Sequence, residues 1–93
     1  MAAVPTVVDL SLCAEARRAL YRILAHRGLS FFVKPGSGRA PHLDSRRIAW
    51  VVEVARRARR VRRHDPDALS RTRRVVRREL IRRLAEELVE AGL

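Results

Sequence analysis

Several residue types that carry much of protein chemistry are scarce in this chain of 93 residues. Cys13 is the only cysteine, which excludes an intrachain disulfide bond and a metal site built from several cysteines. Aromatic residues make up 4% of the sequence, which argues against a broad stacking surface for single-stranded nucleic acid. No stretch approaches the roughly 18 apolar residues of a membrane span, and the N-terminus lacks the basic segment of a signal peptide. We therefore expect a cytoplasmic protein, or one packaged with nucleic acid.

Groupings of residues typical of catalysis or metal binding are also missing from the sequence. His26, His42 and His64 show no metal-ligand spacing with one another or with Cys13. No pair of carboxylates, Ser–His–Asp set or Cys–His pair indicates acid–base or nucleophilic catalysis. Cys13 is predicted to be a small apolar packing residue of a helix. The sequence thus predicts a protein that is not an enzyme and holds no metal or cofactor.

Arginine is the residue that the sequence has in excess. The formal net charge is +11, and Lys34 is the only lysine among 21 basic residues. A guanidinium group is always charged and matches phosphate oxygens with two parallel hydrogen bonds. The excess is local, since residues 1–38 carry +3, residues 39–78 carry +10 and residues 79–93 carry −2. Such a charge opposes a compact monomer and favours association with polyanions.

Length and composition indicate one small folded domain. The sequence is 47% hydrophobic, which is too apolar for a disordered chain. A core of this size is modest, and homodimerisation or docking on a larger assembly would complete it. We expect residues 1–8 to form an extended N-terminal arm and residues 9–93 a single helical domain.

Apolar residues at helical spacing predict three helices. The first helix is predicted to begin after Asp9 or Ser11 and to be terminated by Gly28, the second to run from Asp44 or Ser45 to about Arg63, and the third from Pro66 to about Ala91. Asp65 is the expected cap of the third helix, with the proline at its first position. The fold class is therefore mainly all-α, with three helices, a C-terminal antiparallel helix hairpin, and a short extended and loop segment between helices 1 and 2.

Two aromatic features have competing interpretations. Phe31 and Phe32 belong to a predicted short extended segment that has no obvious partner strand within the chain. Trp50 lies at the edge of the apolar face of helix 2, and we predict that it packs in the core rather than stacks on a base.

The loop KPGSGR at residues 34–39 lacks the pattern of a phosphate-binding P-loop, but Lys34 and Arg39 at its two ends are candidate contacts to the phosphate backbone of a nucleic acid.

Two arginine runs flank the predicted turn of the hairpin. The first is RRARRVRR at residues 56–63, and the second is RTRRVVRR at residues 71–78. Ala58 and Val61 continue the apolar face of helix 2, so the first run coats a helix rather than a disordered tail. At a rise of ~1.5 Å per residue, both runs lie within roughly 20 Å of the turn. The predicted nucleic-acid-binding residues are Arg56, Arg57, Arg59, Arg60, Arg63, Arg71, Arg73, Arg74, Arg77 and Arg78.

The rest of the third helix has a different charge pattern. Beyond Glu79, its glutamates and two arginines recur three and four residues apart, a spacing that allows ion pairs within the helix. We expect this half of the helix to neutralise its own charge. The unbalanced charge before it calls for an external polyanion.

These patterns favour a nucleic-acid-binding structural protein that grips the phosphate backbone. The expected partner is duplex or structured RNA, as in a ribonucleoprotein or ribosome, or duplex DNA, as in a packaging or nucleocapsid protein. Two alternatives stay open, namely an assembly subunit that docks on an acidic protein and a basic amphipathic protein of a membrane surface. A further alternative, which needs no partner, is that the arginines form a solvated helix face in an arginine-rich proteome.

Overall fold

A computed structural model describes residues 7–34, 42–61 and 66–92 of the chain. Within these residues the chain forms three α-helices, α1 (Val7–Arg27), α2 (Ser45–Ala58) and α3 (Pro66–Glu90). A short 3-10 helix (Leu29–Phe32) follows α1. The predicted mainly all-α fold is confirmed.

Contacts between the helices fix their relative directions. Cys13 lies 3.6 Å from Thr72, and Tyr21 donates a hydrogen bond to Glu79 at 2.9 Å, so α1 and α3 run in the same direction. At the end of α2, Arg59 donates to the Ser11 hydroxyl near the start of α1 at 2.6 Å. α2 is therefore antiparallel to both other helices, and the predicted hairpin of the second and third helices is confirmed.

The core lies along the line where the three helices meet. Its buried apolar residues are Leu12, Ala16, Ala19, Leu20, Leu29, Phe32, Leu43, Ile48, Val51, Val52, Ala55, Ala68, Val76 and Leu80. Four of these are alanines, whose small side chains allow the helix axes to approach closely. Thr72 is also fully buried, and its hydroxyl donates to the carbonyl of Ala68 at 2.8 Å. That bond removes the cost of burying a polar group without a partner.

The segment between α1 and α2 differs from the prediction. Gly28 has φ 78°, a conformation that glycine adopts easily, and it turns the chain into the 3-10 helix rather than into a strand. Phe32 in that helix is fully buried, which stabilises the fold by about 1.5–3 kcal/mol. The extended segment is reduced to one antiparallel bridge between Val33 and Leu43, so its partner lies within the chain.

The starts of the helices follow the sequence signals in part. α2 begins where predicted, because the carboxylate of Asp44 accepts hydrogen bonds from the amides of Arg46 and Arg47 at 3.0 and 3.3 Å. α1 begins at Val7, so the last two residues of the predicted arm are helical. Residues 1–6 and the predicted cap Asp65 lie outside the described residues. At the other end of the chain, Gly92 has φ 76° just beyond α3, as expected for a helix terminator.

α2 ends at Ala58 rather than near Arg63, because the backbone reverses at Arg60. Arg60 has φ 56°, in the left-handed region, where glycine is the usual residue. The amide of Val61 then donates to the carbonyl of Arg56 at 2.9 Å, and the amide of Arg60 donates to the carbonyl of Arg57 at 3.1 Å. These two bonds form a Schellman motif, which satisfies carbonyls that the end of the helix would leave unpaired.

Candidate nucleic-acid interface

The N-terminal half of α3 carries an exposed row of arginines, which we call the arginine strip. Its members are Arg73, Arg74, Arg77 and Arg78. Thr72, Val76 and Leu80 of the same helix are fully buried. Because one face of α3 is fixed in the core, spacings of three and four residues hold the strip together on the opposite face. The helix backbone therefore holds these four charges in one row before any partner binds.

The strip is not neutralised by the rest of the protein that the structure describes. No described carboxylate lies within ion-pair distance of any of its four arginines. Within the described residues, Arg73 donates only to the hydroxyl of Ser70, at 3.1 Å, and a hydroxyl does not compensate its charge. Repulsion between neighbouring guanidinium groups costs free energy, and an external anion would relieve that cost.

Two surface grooves border the strip. The groove between α2 and α3 has a volume of about 460 Å³ and is lined by Ser45, Ile48, Ala49, Ser70, Arg73, Arg74 and Arg77. The groove between α1 and α3 has a volume of about 380 Å³ and is lined by Leu10, Cys13, Ala14, Arg17, Arg71, Arg74, Val75 and Arg78. Arg17 thus adds a cation from α1 beside the strip. Sequence reasoning missed Arg17, because nothing in the local pattern of α1 sets it apart from its neighbours.

Arg56 of the first run serves the protein itself. Its side chain is only 13% exposed, and two of its nitrogens donate to Glu53 at 2.9 and 2.6 Å. A third nitrogen donates to the carbonyl of Val61 at 2.7 Å, across the Schellman motif. The bonds to Glu53 raise the pKa of Arg56 above its ordinary value. Arg56 therefore ties the end of α2 together, which leaves it poorly placed to contact a phosphate.

Arg57, Arg59 and Arg60, the other described arginines of the first run, have surroundings that differ from those of the strip. Arg57 is exposed, with its Nε 3.2 Å from Glu53, and Arg59 turns toward α1 to bond Ser11. Arg60 is exposed at the reversal of the chain. Arg63 lies outside the described residues. Among the described arginines of this run, Arg59 is thus directed to the start of α1, whereas the strip lies along α3.

The C-terminal half of α3 neutralises its own charge, as predicted. Glu79 accepts hydrogen bonds from Arg82 and Tyr21, and its carboxylate lies 3.6 Å from Arg83. The hydrogen bond from Arg82, assisted by the bond from Tyr21, lowers the pKa of Glu79 to about 2. Arg82 also pairs with Glu86. This network ties α3 to α1 and leaves its arginines poorly available to an external phosphate.

The aromatic residues are arranged differently from the prediction. Trp50 is 49% exposed, so its predicted place in the core is wrong. The buried face of α2 centres on Ile48, Val51 and Val52, and the wide indole ring lies beyond its edge. Trp50 instead contacts the edge of Phe31, with the ring centroids 6.1 Å apart.

The remaining candidates are less prominent in the structure. Lys34 is exposed, and Arg39 with most of its loop lies outside the described residues. Cys13 is partly buried against Thr72, which agrees with a packing role. Among the described residues, no three His, Cys, Asp or Glu side chains come together as a metal-binding group.

Comparisons with protein-family models, curated proteins and solved structures found no match to this chain. The functional assignment therefore depends on the charges, contacts and exposures of its own residues.

Proposed function

We propose that this protein is a non-catalytic, nucleic-acid-binding structural protein that grips the phosphate backbone through the arginine strip of α3. The proposal rests on one observation, which is that the arginines of the strip lack ion-pair partners among the described residues. These four arginines are exposed on one helix, and no described carboxylate pairs with them. Guanidinium groups in this state bind phosphate oxygens strongly and with defined geometry.

The length of the strip suits a duplex. From its first to its last residue the helix rises about 8 Å at ~1.5 Å per residue. Duplex DNA presents one negative charge per ~1.7 Å of its axis, so this length faces about four to five phosphate charges. The number of phosphates is thus close to the number of arginines. Arg17 beside the strip extends the contact toward α1.

Backbone recognition is the mode of binding that the composition favours. The chain contains no asparagine and no glutamine, the two residues that pair with adenine in the major groove. Arginine can read guanine, but a row of arginines along one helix face mainly supplies charge. Both a ribonucleoprotein component and a DNA-packaging protein use such contacts. The relative affinities for duplex RNA and duplex DNA distinguish these two roles.

A second candidate function is docking on an acidic protein, and the groove between α1 and α3 favours it. Leu10, Ala14 and Val75 supply an apolar floor, and arginines supply the rim. An amphipathic helix with an acidic face would match this groove. The membrane-surface alternative has less support, because the apolar face of α2 is buried in the bundle and is not available to lipid. No described helix is long and apolar enough to cross a bilayer.

The test is the affinity for duplex DNA, duplex RNA and single-stranded RNA across a salt series. Four phosphate contacts predict that log affinity falls with log salt at a slope of about −3.6 on duplex DNA. The variant Arg73→Gln/Arg74→Gln/Arg77→Gln/Arg78→Gln should lose most of this slope. The nucleic acid that binds more tightly distinguishes the RNA-associated role from the DNA-associated role.

The control is Arg82→Gln/Arg83→Gln, in the half of α3 whose arginines are paired, and its partner of equal charge in the strip is Arg73→Gln/Arg74→Gln. The control removes two positive charges from the same helix and should leave the slope nearly unchanged. Equal slopes for the wild-type protein and the quadruple variant, with unchanged circular dichroism, would refute the strip as the binding site. Binding of an acidic protein without any nucleic-acid binding would favour the second candidate function instead.

A further inference from the structure

A second surface, between α1 and α2, combines aromatic rings with positive charge. It is a groove of about 310 Å³ lined by Arg22, Ile23, His26, Arg27, Phe31 and Trp50. The arginine strip contributes no residue to it. The two surfaces use different helix pairs of the bundle, and a ligand of one need not occupy the other.

The aromatic rings of this groove are held in place from the core outward. Phe32 is fully buried, and Phe31 packs edge-to-face against it at a centroid distance of 5.1 Å and an interplanar angle of 87°. Phe31 in turn contacts Trp50 at 6.1 Å and 62°. The indole of Trp50 is thus braced on one side while about half of its residue surface, 49%, faces solvent. A braced, half-exposed indole loses little conformational entropy when a flat ligand stacks on it.

The charges around these rings are positive. Arg47 is already engaged, because it donates to the carbonyl of Phe31 at 2.5 Å and lies 4.2 Å from the centroid of that ring. Arg27 lies 5.7 Å from the same centroid, and Arg22 and His26 are exposed along the rest of the groove. No carboxylate lines the groove among the described residues. A flat aromatic ligand that carries negative charge therefore fits both parts of the surface.

We propose that this groove binds one unpaired nucleotide, with its base stacked on Trp50 and its phosphate near Arg22 and Arg27. Bases within a duplex have their faces covered by their neighbours, whereas single strands, loops and ends expose them to aromatic side chains. The proposal extends the function proposed above, since the strip would hold a helical segment and this groove an adjoining unpaired one. The contacts that support the nucleotide site are separate from those of the strip, so disproof of one site leaves the other unaffected.

Fluorescence provides a direct test, because Trp50 is the only tryptophan of the chain. The wild-type protein is titrated with the RNA tetranucleotide rA4 at low salt, while the anisotropy of a labelled copy of rA4 reports binding separately. Stacking predicts strong quenching of Trp50 at saturation. A long blunt RNA duplex should bind without comparable quenching. Inorganic pyrophosphate, which has charge but no base, should also leave the emission nearly unchanged.

Three variants separate stacking from charge. Trp50→Ala should weaken the binding of labelled rA4 by about tenfold or more, whereas Trp50→Phe should retain it within about threefold, because phenylalanine keeps an aromatic face. Arg73→Gln/Arg77→Gln, in the strip, should leave the degree of quenching at saturation unchanged even if the affinity falls. Circular dichroism and thermal melting of each variant check that the bundle is intact.

Binding of rA4 without quenching of Trp50 would overturn the proposal, as would equal affinity for the Trp50→Ala variant. Equal quenching by a long blunt duplex at the same nucleotide concentration would also count against it, because every base there except the terminal pairs is covered by its neighbours. Vesicles with phosphatidylserine serve as the competing probe. If these vesicles shift the emission of Trp50 and rA4 does not, the groove contacts a lipid surface rather than a base.

Discussion

The two arginine runs look alike in the sequence and differ in the structure. In the run at residues 56–63, Arg56 is enclosed by Glu53 and Val61, and Arg59 is bonded to α1. In the run at residues 71–78, the four arginines of the strip point away from the core and no described carboxylate pairs with them. The density of charge is similar in both runs. Arg56 and Arg59 are already bonded within the protein, whereas the arginines of the strip have no described carboxylate partner.

The difference has a local physical cause. Glu53 lies three and four residues before Arg56 and Arg57, at the spacing that pairs side chains on one helix face. The positions three and four residues before each arginine of the strip hold no glutamate or aspartate. They are occupied by Leu69, Ser70, Arg71, Val75 and members of the strip itself. Glu53 therefore pairs Arg56 and Arg57 within the fold, whereas no carboxylate stands at the corresponding positions before the arginines of the strip.

The largest expected effect is on nucleic-acid affinity. Arg73→Gln/Arg74→Gln should weaken binding to a duplex by roughly 10- to 100-fold near 0.1 M salt and reduce the salt slope by about 2. The matched change in the other run, Arg59→Gln/Arg60→Gln, removes the same charge and should weaken binding by less than about fivefold. Filter binding or anisotropy with one duplex measures both variants. Equal losses would mean that net charge, and not the geometry of the strip, governs binding.

The paired arginines at the end of α3 are expected to contribute to the free energy of unfolding, unlike the arginines of the strip. Glu79→Gln should lower the free energy of unfolding by about 2 kcal/mol at pH 7, because Tyr21, Arg82 and Arg83 lose their charged partner. The pKa of Glu79 falls from 4.5 to about 2 on folding, so its contribution is complete above about pH 4.5 and is lost as the pH falls through 2. Denaturant titrations between pH 7 and pH 2 measure this loss.

The control for Glu79 is Glu86→Gln. Glu86 has an exposed side chain and pairs only with Arg82 within the described part of the chain, so its substitution should cost less than about 0.5 kcal/mol. If the wild-type protein and Glu79→Gln lose stability in parallel as the pH falls, Glu79 does not hold the network together.

Within the first run, Arg56 and Arg57 are neighbours with different roles. Arg56→Ala should lower the midpoint of thermal unfolding by roughly 5 °C, since it removes three hydrogen bonds from the end of α2. Arg57→Ala should change it by no more than about 1–2 °C, because that side chain is 70% exposed. Similar shifts for the two variants would show that the contacts of Arg56 add nothing to the fold.

The sequence predicted the parts of this protein that depend on local signals. Apolar residues at helical spacing predicted the three helices, and Asp44 marked the start of α2, because such features need only neighbouring residues. The position of Trp50 could not be predicted in this way. Its helical angle lies near the boundary of the apolar face, and only the packing of the other helices decides whether the ring is covered.

The candidate site was predictable in its chemistry and not in its shape. The number of arginines predicted a phosphate-binding surface. The residue type alone does not tell which arginines are exposed and which are bonded within the protein. Arg56 and Arg73 differ because Arg56 bonds to Glu53 and the carbonyl of Val61, whereas the bond that the described residues offer Arg73 goes to the hydroxyl of Ser70. Arg17 joins the strip through the packing of α1 on α3, which no local pattern encodes.

The smallest expected effect concerns the residue that ends α2. Arg60 has φ 56°, which costs a residue with a side chain roughly 1 kcal/mol relative to glycine. Arg60→Gly should therefore raise the free energy of unfolding by about 0.5–1 kcal/mol, the remainder being offset by the greater entropy of glycine in the unfolded chain. Urea denaturation measures the gain.

Two controls separate the backbone effect from the effect of charge. Arg60→Gln removes the charge but keeps the strained conformation, so it should not reproduce the gain in stability. Arg59→Gly places glycine at φ −93°, where it relieves no strain, and should lower the free energy of unfolding by about 0.5–1 kcal/mol. If Arg60→Gly does not raise the free energy of unfolding, the left-handed backbone at the end of α2 carries no measurable strain, and the two Schellman hydrogen bonds alone account for this helix end.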